Sequence, residues 1–319
     1  MTLPVDPFHF PSLVWDWPIA IYLFLLGISA GSVTFAVLLK RKSLGEQAST
    51  HGIIKAAALL GPGAVILGLL ILIFHLTRPW TFWKLMFNYQ FNSVMSMGVM
   101  LFQIYMAILF VWLGGVFARE LITLRQHWLG ERLNILDTLL RALPRTEKVT
   151  EPLLLLLAVL LGAYTGFLLS ALKSYPMLNN PVLPVLFLVS GLSSGIASCI
   201  VLATSLFKTP ADDHGIHFLH RFETPLILTE ALLLLCFFTG LWFGDGQKVI
   251  AMTSAIGGGF WSNVFWFGVV GLGLLTPLLL GRLLPEKGLT KLLLICCCSL
   301  TGILLLRYFI LYAGQMTVA

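Results

Sequence analysis

Residues 152–172 read PLLLLLAVLLGAYTGFLLSAL, twenty-one positions without a charge. A helix rises ~1.5 Å per residue, so about 20 apolar residues cross the hydrocarbon core of a bilayer. The same test finds seven more stretches, at 17–39, 53–76, 93–117, 182–207, 224–243, 259–281 and 289–313. Only 11% of the 319 residues are charged and 58% are hydrophobic; the mean hydropathy is +0.93. Soluble domains run near a quarter charged. The composition predicts an all-α integral membrane protein with eight transmembrane helices. The longest connection, 118–151, is basic and has room for a short surface helix but not for a buried core.

The first sixteen residues hold Asp6 and Asp16 and no Lys or Arg, unlike the basic start of a cleavable signal, so the first span is expected to remain. With the N-terminus outside, fifteen Lys and Arg fall on the inner side, between 40 and 55, 119 and 148, 208 and 221, and 282 and 291. Four fall outside (Arg78, Lys84, Lys173 and Lys248), and Arg307 lies within the last span. Positive charge stays on the cytoplasmic side of a bacterial inner membrane. Both termini are therefore expected in the periplasm. The net charge of +6 follows from this topology and calls for no nucleic acid.

The sequence repeats itself weakly. Gly27-Ile-Ser-Ala-Gly31 in span one matches Gly191-Leu-Ser-Ser-Gly195 in span five. SVMSMGV from Ser93 matches NVFWFGV from Asn263, and YTGFLL from Tyr164 matches LTGILL from Leu300. The order is the same in both halves, which suggests a periplasmic segment 1–16 followed by two four-helix bundles, 17–172 and 182–319, related by a parallel repeat. The loop 118–151 is then the cytoplasmic loop of the first bundle. Where the first half has Tyr164 the second has Leu300, so a polar site belongs to the first bundle.

A b-type haem needs two histidines on facing helices. Of the seven histidines only His75 stands near hydrocarbon. Cys199, Cys236, Cys296, Cys297 and Cys298 all lie in apolar spans, and three consecutive cysteines on a helix point in different directions. Neither a haem nor an iron–sulfur cluster is expected in this protein. His214, His217 and His220 read as solvated residues of an inner loop beside Asp212 and Asp213, with a metal site as the alternative.

The remaining polar groups gather towards the outer face of the first half: Tyr22, then His75, Arg78 and Trp80, then Tyr164, with Gln103 and Tyr105 deeper. Apolar walls with a few hydroxyls and an imidazole suit a lipid-soluble ring bearing two oxygens. Interhelical hydrogen bonds for the tyrosines and an interfacial belt for Trp15, Trp17, Trp80 and Trp83 are the other reading. Glu223 stands at the inner entrance of span six and Glu230 two turns inside it, on one helix face. They form either a proton route from the inner side or buried acids bonded to Ser or Thr. Arg307 either snorkels outward or pairs with Asp245 or Asp16.

VWDWPIAIYLFLLGISAGSVT (14–34), FHLTRPWTFWKLMF (74–87), LGAYTGFLLSALKSYPMLNNPVLPVLFL (161–188) and RYFILYAGQ (307–315) resemble the NrfD/polysulfide reductase C family of membrane quinol-oxidising subunits. The likeness covers all the spans and is greatest to the NrfD branch, of the formate-dependent (cytochrome c) nitrite reductase pathway. It implies a subunit without a redox cofactor of its own, in which menaquinol binds near the outer face of the first bundle. Electrons would pass to a periplasmic ferredoxin-like partner with four [4Fe–4S] clusters (an NrfC-like subunit), then to multihaem cytochromes c. The tyrosine of the family's YTG block contacts the quinone, which here is Tyr164. Tyr22 stands where another branch has a histidine, and His75 where that branch has an acid. The resemblance thus implies quinol contacts from Tyr164, Tyr22, His75 and Arg78, with His75 or Asp16 taking up the released protons and Thr165 bonding back to its own helix. A membrane anchor for polysulfide or another acceptor, or a secondary transporter, are the alternative functions.

Overall fold

A computed structural model describes residues 6–44, 51–76, 78–129, 134–283 and 288–318. Among these it has eight helices long and apolar enough to cross a membrane: Trp17–Lys42, Gly52–His75, Val94–Val116, Leu140–Ser170, Leu183–Ser205, His214–Trp242, Phe260–Arg282 and Leu289–Gln315. In sequence order the elements are α1 (Trp17–Leu39), α2 (Gly52–His75), α3 (Phe82–Phe87), α4 (Val94–Val116), α5 (Ala118–Leu129), α6 (Asn134–Ala142) and α7 (Glu147–Ser170). They continue with α8 (Leu183–Ser205), α9 (His214–Trp242), α10 (Gly246–Ile256), α11 (Phe260–Asn263), a π-helical run Val264–Leu275, α12 (Thr276–Leu283) and α13 (Leu289–Gln315). No strand occurs among the described residues.

Six spans match the apolar stretches closely; α7 and α9 begin earlier than the sequence suggests. Pro152 and Pro225 look like helix starts, yet both lie inside their helices. The first turn of α7 carries charge because the charge is paired: Lys40 Nζ lies 2.6 Å from Glu147 and 2.8 Å from Glu151, with both Lys40 and Glu151 buried. The three histidines from 214 to 220 consequently sit in the opening turns of α9 and not in a loop. Glu223 is well inside that helix and not at its entrance.

α1 and α8 are the centre. Buried residues make up 78% of the most apolar stretch of α1 and 67% of that of α8, against 28% for α4 and α9. Lipid is as apolar as leucine, so helices associate through close backbone packing, not through the hydrophobic effect. The two small-residue segments supply that packing against each other. A methyl added at Gly27 would stand 3.1 Å from the Cα of Gly191, and one at Gly195 would overlap the backbone of Gly31 and Ser32. The interleaved hydroxyls are satisfied locally: Ser32 donates to Ser29 O (3.0 Å), Thr34 to Ala30 O (2.7 Å) and Ser194 to Gly191 O (2.9 Å).

Both termini emerge at one end of the helix array. There Trp261 Nε1 donates to Pro7 O (2.9 Å), Tyr175 OH to Ser12 O (2.8 Å) and Ser12 Oγ to Gln315 O (2.6 Å), so residues 6–16 form a strap over the end of α13. The other end carries the fifteen basic residues counted above, except Arg132 and Lys287, which lie outside the described residues. Ion pairs tie its loops together: Lys55 with Glu120 (2.6 Å), His51 with Asp213 (2.9 Å) and Arg125 with Asp137 (2.8 Å).

Candidate functional site

Four helices build the site towards the terminal end. Tyr22 comes from α1, Tyr164 from α7, and each ring lies on a glycine of a neighbouring helix. Tyr22 packs over Gly68 of α2, where an added methyl would meet its ring at 3.3 Å. Gly98 of α4 faces Tyr164 so closely that a methyl there would overlap the ring and its hydroxyl. At ~1.5 Å per residue the four positions lie roughly 6–11 Å below their helix ends. They share one depth.

Both phenols are buried, Tyr22 3% exposed and Tyr164 7%, and they lie within electrostatic range of each other. Neither hydroxyl has a hydrogen-bond partner among the described residues, and neither is sealed off as an orphaned buried atom. A hydroxyl left unpaired in an apolar environment costs roughly 2–7 kcal/mol by transfer estimates. Tyr105 makes the contrast. Its hydroxyl meets Ser29 Oγ at 2.9 Å, and Ser29 donates to Gly61 O at 2.8 Å, so this tyrosine is an interhelical contact. Gln103 is likewise engaged, by Tyr89 and by Met86 O at 3.2 Å. Thr165 donates to Gly162 O at 2.7 Å, the back-bond expected of it.

Above the tyrosines, where α1 begins and α2 ends, His75 Nε2 lies 2.9 Å from Asp16 Oδ1. The approach is an ion contact without hydrogen-bond alignment, and Oδ1 is buried with no aligned donor among the described residues. Both side chains keep an exposed part, 44% for His75 and 32% for Asp16. Arg78 follows in the exposed connection to α3 and makes no ion pair among the described residues. His75 and Asp16 are thus brought together, Tyr22 and Tyr164 stand at one depth within electrostatic range of each other, and Arg78 follows His75 at the surface without joining either pair.

Glu223 and Glu230 share the buried face of α9, 6% and 3% exposed. His220 bonds Glu223. Two cavities, of about 210 and 150 Å³, open at the basic end around His220; the larger reaches His217 and Lys291, the smaller reaches Glu223. Arg307 corrects the sequence reading. It is fully buried, neither snorkelling nor paired with Asp245 or Asp16. Nη2 donates to Phe187 O (3.0 Å) and Ser190 Oγ (2.8 Å), and the guanidinium lies 3.7 Å over the Phe187 ring. Glu230 acts on it electrostatically, without an ion pair between the two. No group of three or more His, Cys, Asp or Glu suited to a metal ion occurs among the described residues.

The sequence pattern of the family described as "Polysulphide reductase, NrfD" matches residues 5–319. This chain belongs to the NrfD family. It is 56% identical to Protein NrfD of Escherichia coli over 313 residues, 98% of each protein, and 52% identical to the NrfD homolog of Haemophilus influenzae over 316 residues, again 98% of each. The polysulfide reductase of Wolinella succinogenes has a C subunit that is 40% identical over 311 residues, 96% of each protein. NrfD-family membership and eight long apolar helices make this a multi-pass protein of the bacterial inner membrane. Gly68 and Gly98, which seat the two tyrosines, do not stand out as site residues in the sequence; the place of Gly98 at the end of SVMSMG is the one available signal.

Proposed function

We propose that this NrfD-family protein oxidises menaquinol at the Tyr22–Tyr164 site, as the membrane subunit of an oxidoreductase complex without a redox cofactor of its own. The observation that carries the reading is the pair of buried phenols with free hydroxyls. They sit directly below an acid–imidazole pair at the surface. Quinol oxidation gives quinone, two electrons and two protons. Tyr164 and Tyr22 hold the ring oxygens, and Asp16 and His75 take up the protons where both side chains still meet water. Arg78 adds positive charge at the mouth. The electrons leave to a periplasmic ferredoxin-like partner carrying four [4Fe–4S] clusters, and from there reach multihaem cytochromes c. Higher identity to the two relatives named NrfD than to the polysulfide reductase subunit favours nitrite as the final acceptor, reduced to ammonia.

The test is Tyr164→Phe, which keeps the ring and removes only the donor. A hydrogen bond to a neutral acceptor contributes about 0.5–1.5 kcal/mol, so quinol affinity should fall about threefold to tenfold. Leu300→Tyr, the repeat-related change, should leave oxidation as it was. A Tyr164→Phe protein that accumulates normally and oxidises a naphthoquinol with unaltered affinity and rate would remove Tyr164 from the site.

The same proposal places both termini in the periplasm, because positive charge collects at the opposite end of the helices. A reporter active only in the cytoplasm, fused after Ala319, should be silent; strong activity would invert the orientation. Two four-helix bundles, related by a parallel repeat, account for the way Gly27 and Gly191 face each other across the centre. In the second bundle Glu223 and Glu230 form a proton route from the basic end, supported by the cavities that reach His220 and Glu223.

A further inference from the structure

The segment RYFILYAGQ ends at Gln315, on the last turn of α13. Its side chain is fully buried at the terminal end of the second half of the protein. Every polar atom on it is used. Oε1 accepts from Val14 N (3.0 Å) and Trp15 N (2.9 Å); Nε2 donates to Trp15 O (2.7 Å) and to Leu311 O of its own helix (2.9 Å). Its backbone carbonyl accepts from Ser12 Oγ at 2.6 Å. Three of these bonds grip residues 14 and 15, and the next residue is Asp16. A primary amide is the one uncharged side chain of this length that can accept from two backbone N–H groups and donate to a carbonyl at once.

We propose that Gln315 is a positioning residue for quinol oxidation. From α13 it fixes the backbone just before Asp16, so that the carboxylate stands against His75 at the mouth of the site. The inference rests on the reading of that site given above. The Asp16 side chain has no other tether at this point: the backbone carbonyl accepts from Ile19 N (3.1 Å), but the carboxylate makes no capping bond to α1. Its only ion pair among the described residues is with His75, which itself lies at the end of α2 and retains an exposed part. Backbone placement therefore decides whether the pair forms. The second half of the protein, which supplies no residue to the quinol site, would in this way set the geometry of its proton acceptor.

The test compares Gln315→Met, similar in length and without hydrogen bonds, with the parent protein in membranes that hold the full complex. Geometry is read first, without activity. In a background with the five native cysteines replaced by alanine, Asp16→Cys and His75→Cys are introduced together and a short thiol cross-linker is added. Cross-linking should be efficient when Gln315 is kept and at least threefold slower when Gln315→Met is added. Equal rates, or no cross-link even with Gln315, overturn the proposal.

Activity is read second. Gln315→Met should lower kcat for naphthoquinol oxidation about fivefold, with KM within about twofold, because the tyrosines that hold the ring are untouched. Asp16→Asn added to Gln315→Met should bring turnover only to the level of Asp16→Asn alone; full additivity of the two losses overturns the positioning role. If Asp16→Asn alone leaves turnover unchanged, the reading of Asp16 as proton acceptor fails, and the cross-linking result still decides whether Gln315 sets the pair. Should Gln315→Met not accumulate, Gln315→Asn, which keeps the amide but withdraws it by one methylene from residues 14 and 15, should slow the same cross-link; an unchanged rate there overturns the proposal as well.

Discussion

Valine at Gly98 is expected to cut quinol oxidation about a hundredfold while leaving the protein in the membrane. The Cβ alone would occupy space now filled by the Tyr164 ring and hydroxyl, so the phenol must swing away from its present place. Displacing a positioning group by about 1 Å can cost 10²-fold in rate. α4 itself should tolerate the change, since valine enters a bilayer more readily than glycine. The control is Gly268→Val, the repeat-related position, where the nearest atom is the flexible end of Leu305 and no phenol stands. Oxidation of a naphthoquinol by membranes containing either variant in its complex decides the matter. A Gly98→Val protein with normal turnover would show that nothing reacts near Tyr164.

The second large effect belongs to stability. Arg307→Met should destabilise the protein by roughly 3 kcal/mol, because it removes two buried charge-assisted hydrogen bonds to α8 and leaves Glu230 buried without the positive charge that acts on it. The double variant Arg307→Met with Glu230→Gln should recover the part of that loss that comes from the isolated acid. Thermal unfolding in detergent, followed by tryptophan fluorescence, measures both. If the double variant melts no higher than the single one, the destabilisation comes from lost packing against Phe187 and Ser190 and not from an isolated acid. The arginine has reason to be costly to lose in either case, since its Nη2 serves two acceptors on α8.

The helices and their polar hydroxyls were readable in the sequence because hydrocarbon makes polar groups conspicuous. Tyr164 stands out in a run of leucines, and Thr165 had a carbonyl of its own helix within reach. Tyr105 looked equally conspicuous and proved to be spent on Ser29, a partner 76 positions away that no local pattern announces. Gly68 and Gly98 were hidden for the opposite reason: their contribution is the absence of a side chain, and glycine recurs in membrane helices wherever backbones meet. Arg307 was misread because charge was sought as its partner. A carbonyl, a serine and the face of a phenylalanine satisfy much of it, and none of these carries a charge pattern. The early start of α9 was concealed by Pro225, which reads as a beginning and lies within.

The glycine contacts between α1 and α8 bear on how far the two halves of the protein are free to move. Backbones that interlock at Gly27, Gly191 and Gly195 leave no layer of side chains to act as a lubricant. Sliding one helix past the other by a turn, ~5.4 Å, would bring Leu23 or Phe187 onto the facing glycines, and Phe35 or Cys199 onto the next pair. The joint is keyed. Rocking of one half against the other, the motion by which duplicated carriers expose a central site alternately to each side, would have to break that joint at every cycle. The function proposed above, which needs the quinol held at a constant distance from its electron acceptor, would gain from such stiffness, since electron transfer is acutely sensitive to separation.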